Sequence, residues 1–461
     1  MSTTEGHNIE GGRSEELVEA TLSAGRKRGV DETEVTVSRN WGGLTRFANN
    51  VVHQHVASDD TTVSVRVVLD GRVGTSTTNT ATPEGVVEAL GRAFDAARLT
   101  PPDPYWPGLS GPSELSSWDD RFDLPTAEAS PSDRIAVVAE LLGELDSKQT
   151  GHEQIGAGAL STSANEVTFA TSVGAHHFAR STRASMSTVV MGQNRESGWA
   201  ESGGVGLANI DAGALGSRAA KLCHDSAHPA PVEPGAHAVV LAPSAVMTLV
   251  DHLGLCAFSG KAYEEGRSAF SGRLGDLVAS PLINVYDDAL EPGAAGLPFD
   301  GEGTPKSRVE LITNGVASAV VHDRTSALKA GVTSTGHGLP GPNPWGPYPS
   351  HLVLAPGDQS IDELIGGVEH GLLVTRFWYT RVVNQKQSLI TGMTRDGTFR
   401  IEDGKIVGPV RNLRYNVSIL DSLMSCDGVG DTLFTCCDEG GDTRVPALRL
   451  RSFAFTSVTD H

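Results

Sequence analysis

The stretch Leu241 to Asp276, LAPSAVMTLVDHLGLCAFSGKAYEEGRSAFSGRLGD, constrains this chain more than any other. Before it, His237 to Leu241 (HAVVL) reads as a short buried strand. Pro243 and Ser244 then open an apolar helix, with Ser244 as the candidate N-cap. The apolar window Ala238 to Phe258 is interrupted by Pro243, Asp251 and His252, so it reads as a core segment and not a membrane span. The helix carries Asp251, His252 and Cys256. His252 and Cys256 are one turn apart, the spacing that places two metal ligands on one face. A hydrolytic metal helix of the HExxH kind also needs a carboxylate directly after its first His. That position is Leu253, which takes no proton.

Length and charge narrow the classes. A chain of 461 residues is long enough for about three domains. With 39% hydrophobic and 20% charged residues it reads as a soluble globular protein. The 53 glycines and low aromatic content favour a fold rich in strands and turns. The formal net charge of −20 argues against nucleic acid as a partner. The only basic run, Arg26-Lys-Arg28, closes a predicted helix, where cations suit the dipole. The opening MSTTEGHNIEGG has neither the basic nor the apolar region of a secretion signal. Five cysteines form an odd, sparse set, pointing to a reducing cytosol.

In chain order, Ser14–Gly29 has helical spacing and Glu34–Ser38 alternates as a strand. Further strands follow at Val51–Gln54, Thr61–Leu69 and Arg72–Ser76, with Asp70-Gly71 as a hairpin turn. Pro83–Leu99 is an amphipathic helix. These elements form an α-β-β-α unit, residues 1–100. A proline-rich linker, 101–125, precedes a middle domain, 126–227, with a helix at Pro131–Lys148 and strands between Glu153 and Gln193 broken at Gly174 and near Arg183. A second linker, 228–234, opens a β-rich C-terminal domain, 235–461, in which Asn314-Gly315 marks another hairpin. No internal repeat is visible.

Several strings carry a family resemblance. RFANNVVHQ (Arg46–Gln54), GRSAFSG (Gly266–Gly272), NGVASAVVHDRTSALKAG, LAPGDQSIDELI, GLLVT and IEDGKIVGPV resemble the TldD/PmbA family, once called modulators of DNA gyrase. The ordered matches run from about residue 15 to the end. The resemblance implies a three-part α/β (α+β) fold and a cytosolic zinc metallopeptidase acting on unfolded peptides or peptide precursors. It also implies two kinds of subunit. TldD-type subunits carry HExxxH and a distal Cys as zinc ligands; TldE (PmbA)-type subunits lack them and pair with a TldD-type subunit. Counted back from Phe270-Ser-Gly272, Asp251 falls on the first His of the motif, His252 on the Glu and Cys256 on the second His. Cys437, in CDEGGD, falls on the distal Cys. The resemblance therefore implies a TldE-type chain with no cofactor of its own, zinc residing in the partner subunit. Asp251 or His252, Cys256 and Cys437 remain as residual ligand candidates.

The alternatives are a self-sufficient metallohydrolase using Asp251, Cys256 and Cys437, and a non-catalytic homodimeric peptide-binding or scaffold protein. Other motifs carry less. His176-His177 point to opposite faces of a strand and read as solvent-facing loop residues. Ser326-Ala-Leu-Lys329 fits SxxK but lacks the companion elements of that mechanism. Gly336-His-Gly-Leu-Pro-Gly341 fits GxGxxG, yet the prolines after it cannot start a helix. The loop 331–349 reads equally as structural or as lining a cleft. Arg376–Arg381 (RFWYTR) reads as a sheet edge, at a subunit interface or gripping a peptide by strand addition.

Overall fold

The structure, a computed structural model, describes residues 11–116, 121–145, 153–194, 196–436 and 442–459. Helix α1 (Gly11–Arg28) is followed by strands β1 (Glu32–Ala48), β2 (Val51–Leu69) and β3 (Arg72–Thr78) and by helix α2 (Pro83–Leu99). The order then repeats: α3 (Pro131–Gly143), β4 (Ile155–Thr171), β5 (His176–Met191), β6 (Ser197–Gly204) and α4 (Ala212–Asp225). All six strands form one antiparallel sheet in the order β3-β2-β1-β4-β5-β6. The two halves meet at β1–β4, where Asn40 faces Asn165. Each half is a helix, three strands and a helix, related by an internal two-fold. The sequence shows no repeat, yet the topology has one, because each half needs only matching patterns of buried positions.

Both pairs of helices cover the same sheet face. Val35, Val37 and Phe47 lie on one side of β1, since side chains alternate along a strand. The two valines pack with α1 and α2, and Phe47 packs with α3 and α4. The opposite face receives the C-terminal part of the chain: Phe299 packs on Val167 and Phe169. Gly303 sits so close to Phe169 that a Cβ there would lie 2.1 Å from the ring, and its φ is +70°. The segment 101–116 is pinned from both sides. Trp106 Nε1 donates to Glu32 at 3.1 Å and Ser110 Oγ to the Glu302 carbonyl at 2.7 Å.

Two sheets build the C-terminal part. One has nine strands, including β7 (Gly235–Leu241), β12 (His370–Val374), β13 (Phe377–Asn384), β14 (Leu389–Thr394), β15 (Thr398–Glu402), β16 (Lys405–Pro409), β17 (Leu413–Ser418) and β21 (Leu448–Val458). Its order is β13-β14-β17-β21-β7-β12-β15-β16, with β18 (Cys426–Val429) beside β21. The other has six strands: β8 (Val285–Asp287), β9 (Val309–Thr313), β10 (Val316–Ala317), β11 (Leu352–Leu354), β19 (Phe434–Cys436) and β20 (Thr443–Val445). Helix α5 (Pro243–Ala257) leaves β7 and joins the large core through Val246, Leu249, Val250 and Leu253.

Several local expectations change. Ser244 is not the N-cap of α5. Ala242 holds that place and Pro243 is the first helical residue, so no side chain caps the helix. The segments Val51–Gln54 and Thr61–Leu69 are parts of the single strand β2, and β5 runs unbroken through Arg183. Val316–His322 is strand only at Val316–Ala317. Asp362–Leu373 divides into a short helix, Ile361–Gly366, and β12, because the sheet claims the β-favouring Leu372 and Leu373. No described helix is long and apolar enough to cross a membrane.

Candidate functional site

Helix α5 is apolar on most sides, but Ser244, Met247, Thr248, Asp251 and His252 follow the helical repeat along one stripe and line a cleft of about 260 Å³. Asp251 accepts a hydrogen bond from the Thr443 hydroxyl at the start of β20. His252 turns back on its own helix, Nδ1 donating to the Thr248 carbonyl at 2.7 Å. Cys256 does not share the cleft. It is fully buried, and burial pushes its thiol up to about 12. Asp251 and His252 are thus placed together at a cleft while Cys256 is withdrawn into the core. Cys437 lies outside the described residues.

The far wall of the cleft is β13, one end strand of the nine-stranded sheet. Among the described residues it pairs only with β14, and that ladder shifts register around Trp378–Arg381, with Tyr379 at φ +56°. Arg376 marks the junction with a larger cleft of about 720 Å³ lined by Leu222, Leu373, Phe399, Ile406 and Phe434 among others. Its guanidinium lies 4.1 Å from the Trp199 ring centre and 4.6 Å from that of Trp378, and bonds Asp396 at 2.9 Å. Stacking and ion pairing hold this cation in place. The arrangement offers apolar room, a fixed cation and an edge strand with backbone groups to share, which together suit an extended peptide.

Behind α5 lies a polar network that sequence reasoning did not find. Asp287 on β8 and His337 in the loop 331–349 are both buried, His337 Nε2 donating to Asp287 Oδ1 at 2.8 Å. The other Asp287 oxygen accepts the His351 N–H at 2.7 Å. Burial works to raise the Asp287 pKa, but the hydrogen bond and charge of His337 outweigh it and hold the carboxyl well below the usual range. His351 is pushed down to about 4, chiefly by burial. The Tyr348 amide donates to the His337 carbonyl at 3.1 Å, so the network anchors the loop beside α5. The only sequence signal was a His between two glycines in a segment with no periodicity.

The remaining motifs resolve into structure. His177 is buried, contrary to its reading as a loop residue, and lies 3.1 Å from Ser113 Oγ. His176 is exposed beside Glu15. Ser326 forms a capping box with Asp323 at the start of a helix, Arg324–Ala330, which leaves its hydroxyl a structural task.

Two family models match the chain: the PmbA/TldA metallopeptidase C-terminal domain over residues 234–457 and metallopeptidase domain 1 over residues 33–97. The chain belongs to the PmbA/TldD family. Among relatives, a protein named metalloprotease from Methanothermobacter thermautotrophicus is 31% identical over 170 residues, 36% of each chain. The chain thus spans little more than a third of that relative's length. Metalloprotease PmbA from Escherichia coli O157:H7 is 24% identical over 446 residues, 93% of each chain. The solved TldE structure from Thermococcus kodakarensis has the same fold, with TM-score 0.86 at 22% identity, covering 96% of this chain and all of that one. End to end, this member of the PmbA/TldD family is similar to proteins of the PmbA/TldE type.

The family's name implies a metal, and the three described motif positions do not fit one. Asp251 and His252 line the cleft whereas Cys256 is buried in the core outside it, so the three do not converge on one point. Among the described residues no three His, Cys, Asp or Glu side chains are grouped to hold an ion.

Proposed function

We propose that this chain is the TldE-type subunit of a cytosolic metallopeptidase, without a working zinc site, and that it holds a peptide for a TldD-type partner. The geometry of the motif positions carries this reading: Asp251 and His252 line the cleft, while Cys256, at the second ligand position, is buried in the core away from it. The free, buried state of Cys223, Cys256 and Cys426 is in keeping with a reducing compartment. In this reading the peptide lies extended along the β13 edge, with side chains in the larger cleft. Zinc and the proton-accepting carboxylate belong to the partner, and this chain contributes binding and orientation.

The test is activity with and without a TldD-type partner. The chain alone should show no peptidase activity, and the co-purified complex should show it. His252→Ala leaves the rate of the complex within about a few-fold, because in this reading the zinc and the proton-accepting carboxylate sit on the partner subunit. Loss of turnover in His252→Ala, with the complex still formed, makes α5 catalytic and sinks the proposal.

A further inference from the structure

The face of the first sheet that meets the C-terminal part of the chain is not filled. Beside the contact of Phe299 with Phe169 lies a cavity of about 280 Å³, which shares no residue with the two clefts near α5. Strand register makes its floor a grid. Glu34, Arg66 and Thr75 stand side by side on β1, β2 and β3, Thr36 stands beside Ser64, and Ser38 beside Thr62. Such neighbours have Cβ atoms about 5 Å apart. Among the described residues, the hydroxyls of Thr36, Thr62, Ser64 and Thr75 bond to nothing in the chain. Across from them Leu297, Phe299 and Pro340 form an apolar wall. Arg66 is 8% exposed, donates no hydrogen bond among the described residues, and has one ion contact, Glu34 Oε2 at 3.3 Å. A buried guanidinium brings five donors, and leaving them unused costs free energy. Arg66, Thr75 and Gly341 also line a second cavity of about 450 Å³, which extends to the exposed Asp103 and Lys329. A Cβ on Gly341 would lie 2.3 Å from the guanidinium, so the glycine leaves the junction open.

We propose that this cavity binds a small neutral polyhydroxylated molecule, one sugar ring in size, through the Arg66 guanidinium and the Thr and Ser hydroxyls of the sheet. Charge decides against the alternatives. An anion at Arg66 also faces Glu34 and Asp300, and a cation faces Arg66 itself. Asp300 has little to offer a cation, because its oxygens already accept the N–H groups of Glu302, Thr304 and Gly338. Neutral hydroxyls accept from the guanidinium and exchange hydrogen bonds in both directions with Thr and Ser. The apolar wall takes the C–H face of the ring. Apolar walls with a few placed polar groups are the usual make-up of a small-molecule site, and the volume is at the small end of that class.

The purified full chain is titrated with glucose, galactose, mannose, ribose and sorbitol, and with citrate and succinate as anionic probes, by saturation-transfer NMR. The expected result is binding of at least one neutral probe at millimolar concentration or below, and of neither anion. The double variant Thr36→Val/Ser64→Ala should weaken that binding at least about fivefold, the equivalent of one hydrogen bond or more. Its circular dichroism and melting temperature should stay as in the wild type, because these hydroxyls have no partner in the chain. Arg66→Lys keeps the charge beside Glu34 but loses the planar fork, and should weaken binding as much; it carries the test if the double variant fails to fold. Binding of none of the neutral probes overturns the proposal. So does binding of the anions alone, or a neutral probe whose affinity the variants change less than about fivefold. The readout needs neither a partner subunit nor peptidase activity, so its outcome is separate from that of the catalytic proposal.

Discussion

Glu302 sits where the C-terminal part of the chain meets the N-terminal sheet, and its substitution by Gln gives a prediction with a sign. Burial, then the Asp300 charge, raise its carboxyl from the ordinary 4.5 to about 7, against a hydrogen bond from the Arg324 N–H at 2.9 Å. Asp300 does not relieve it, because both its oxygens are taken by the N–H groups of Glu302, Thr304 and Gly338 at 2.6–2.9 Å. The folded state keeps a proton on Glu302 that the unfolded chain releases near 4.5. The stability this group confers is therefore complete below about 4.5 and lost as the pH rises through about 7. The interval corresponds to roughly 3 kcal/mol for a fully buried carboxylate. Partial exposure of Glu302 brings the expected loss to about 1–2 kcal/mol. In Glu302→Gln the amide oxygen still accepts the Arg324 N–H and no charge develops. Urea unfolding at pH 5 and pH 8 measures the outcome. The variant should match the wild type at pH 5 and exceed it by about 1–2 kcal/mol at pH 8. A difference that is the same at both pH values, or that favours the wild type at pH 8, refutes the reasoning.

Three further predictions concern the site. Elemental analysis of the chain purified alone should find no stoichiometric zinc; about one zinc per chain, lost in Cys437→Ser, contradicts this. The thiols of Cys223, Cys256 and Cys426, which burial pushes up to about 12, 12 and 11, should resist a thiol reagent at pH 8 until denaturant is added, and their rapid labelling in the native protein would show them open to solvent. His337→Leu leaves the Asp287 carboxylate buried without its main partner and should cost about 3–5 kcal/mol at pH 7, read as a lower denaturant midpoint. That deficit should narrow on acidification as Asp287 protonates, and a variant as stable as the wild type would remove the anchoring role.

What was legible in the sequence was local. Pro83–Leu99 is a helix over the range its apolar spacing predicts, with Thr82 capping it. Asp70-Gly71 and Asn314-Gly315 turn hairpins because both residues of each pair accept positive φ. The strand and helix around Pro243 follow from an apolar run bounded by a proline, and the family strings reach from the first sheet to the last. Other features needed the tertiary structure. The pairing of β1 with β4 joins residues about 125 positions apart, and nothing in either strand names its neighbour. The same pairing creates the internal two-fold. His177 and His337 are buried because distant segments close over them, and the meeting of Asp287 with His337 brings a strand and a glycine-rich loop together. At the motif helix, spacing alone puts His252 and Cys256 on one face. Packing separates them, with His252 at the cleft and Cys256 in the core. Periodicity reports how a segment divides its own residues between faces. Which face meets water, and which charges meet each other, depends on what the rest of the chain packs against it.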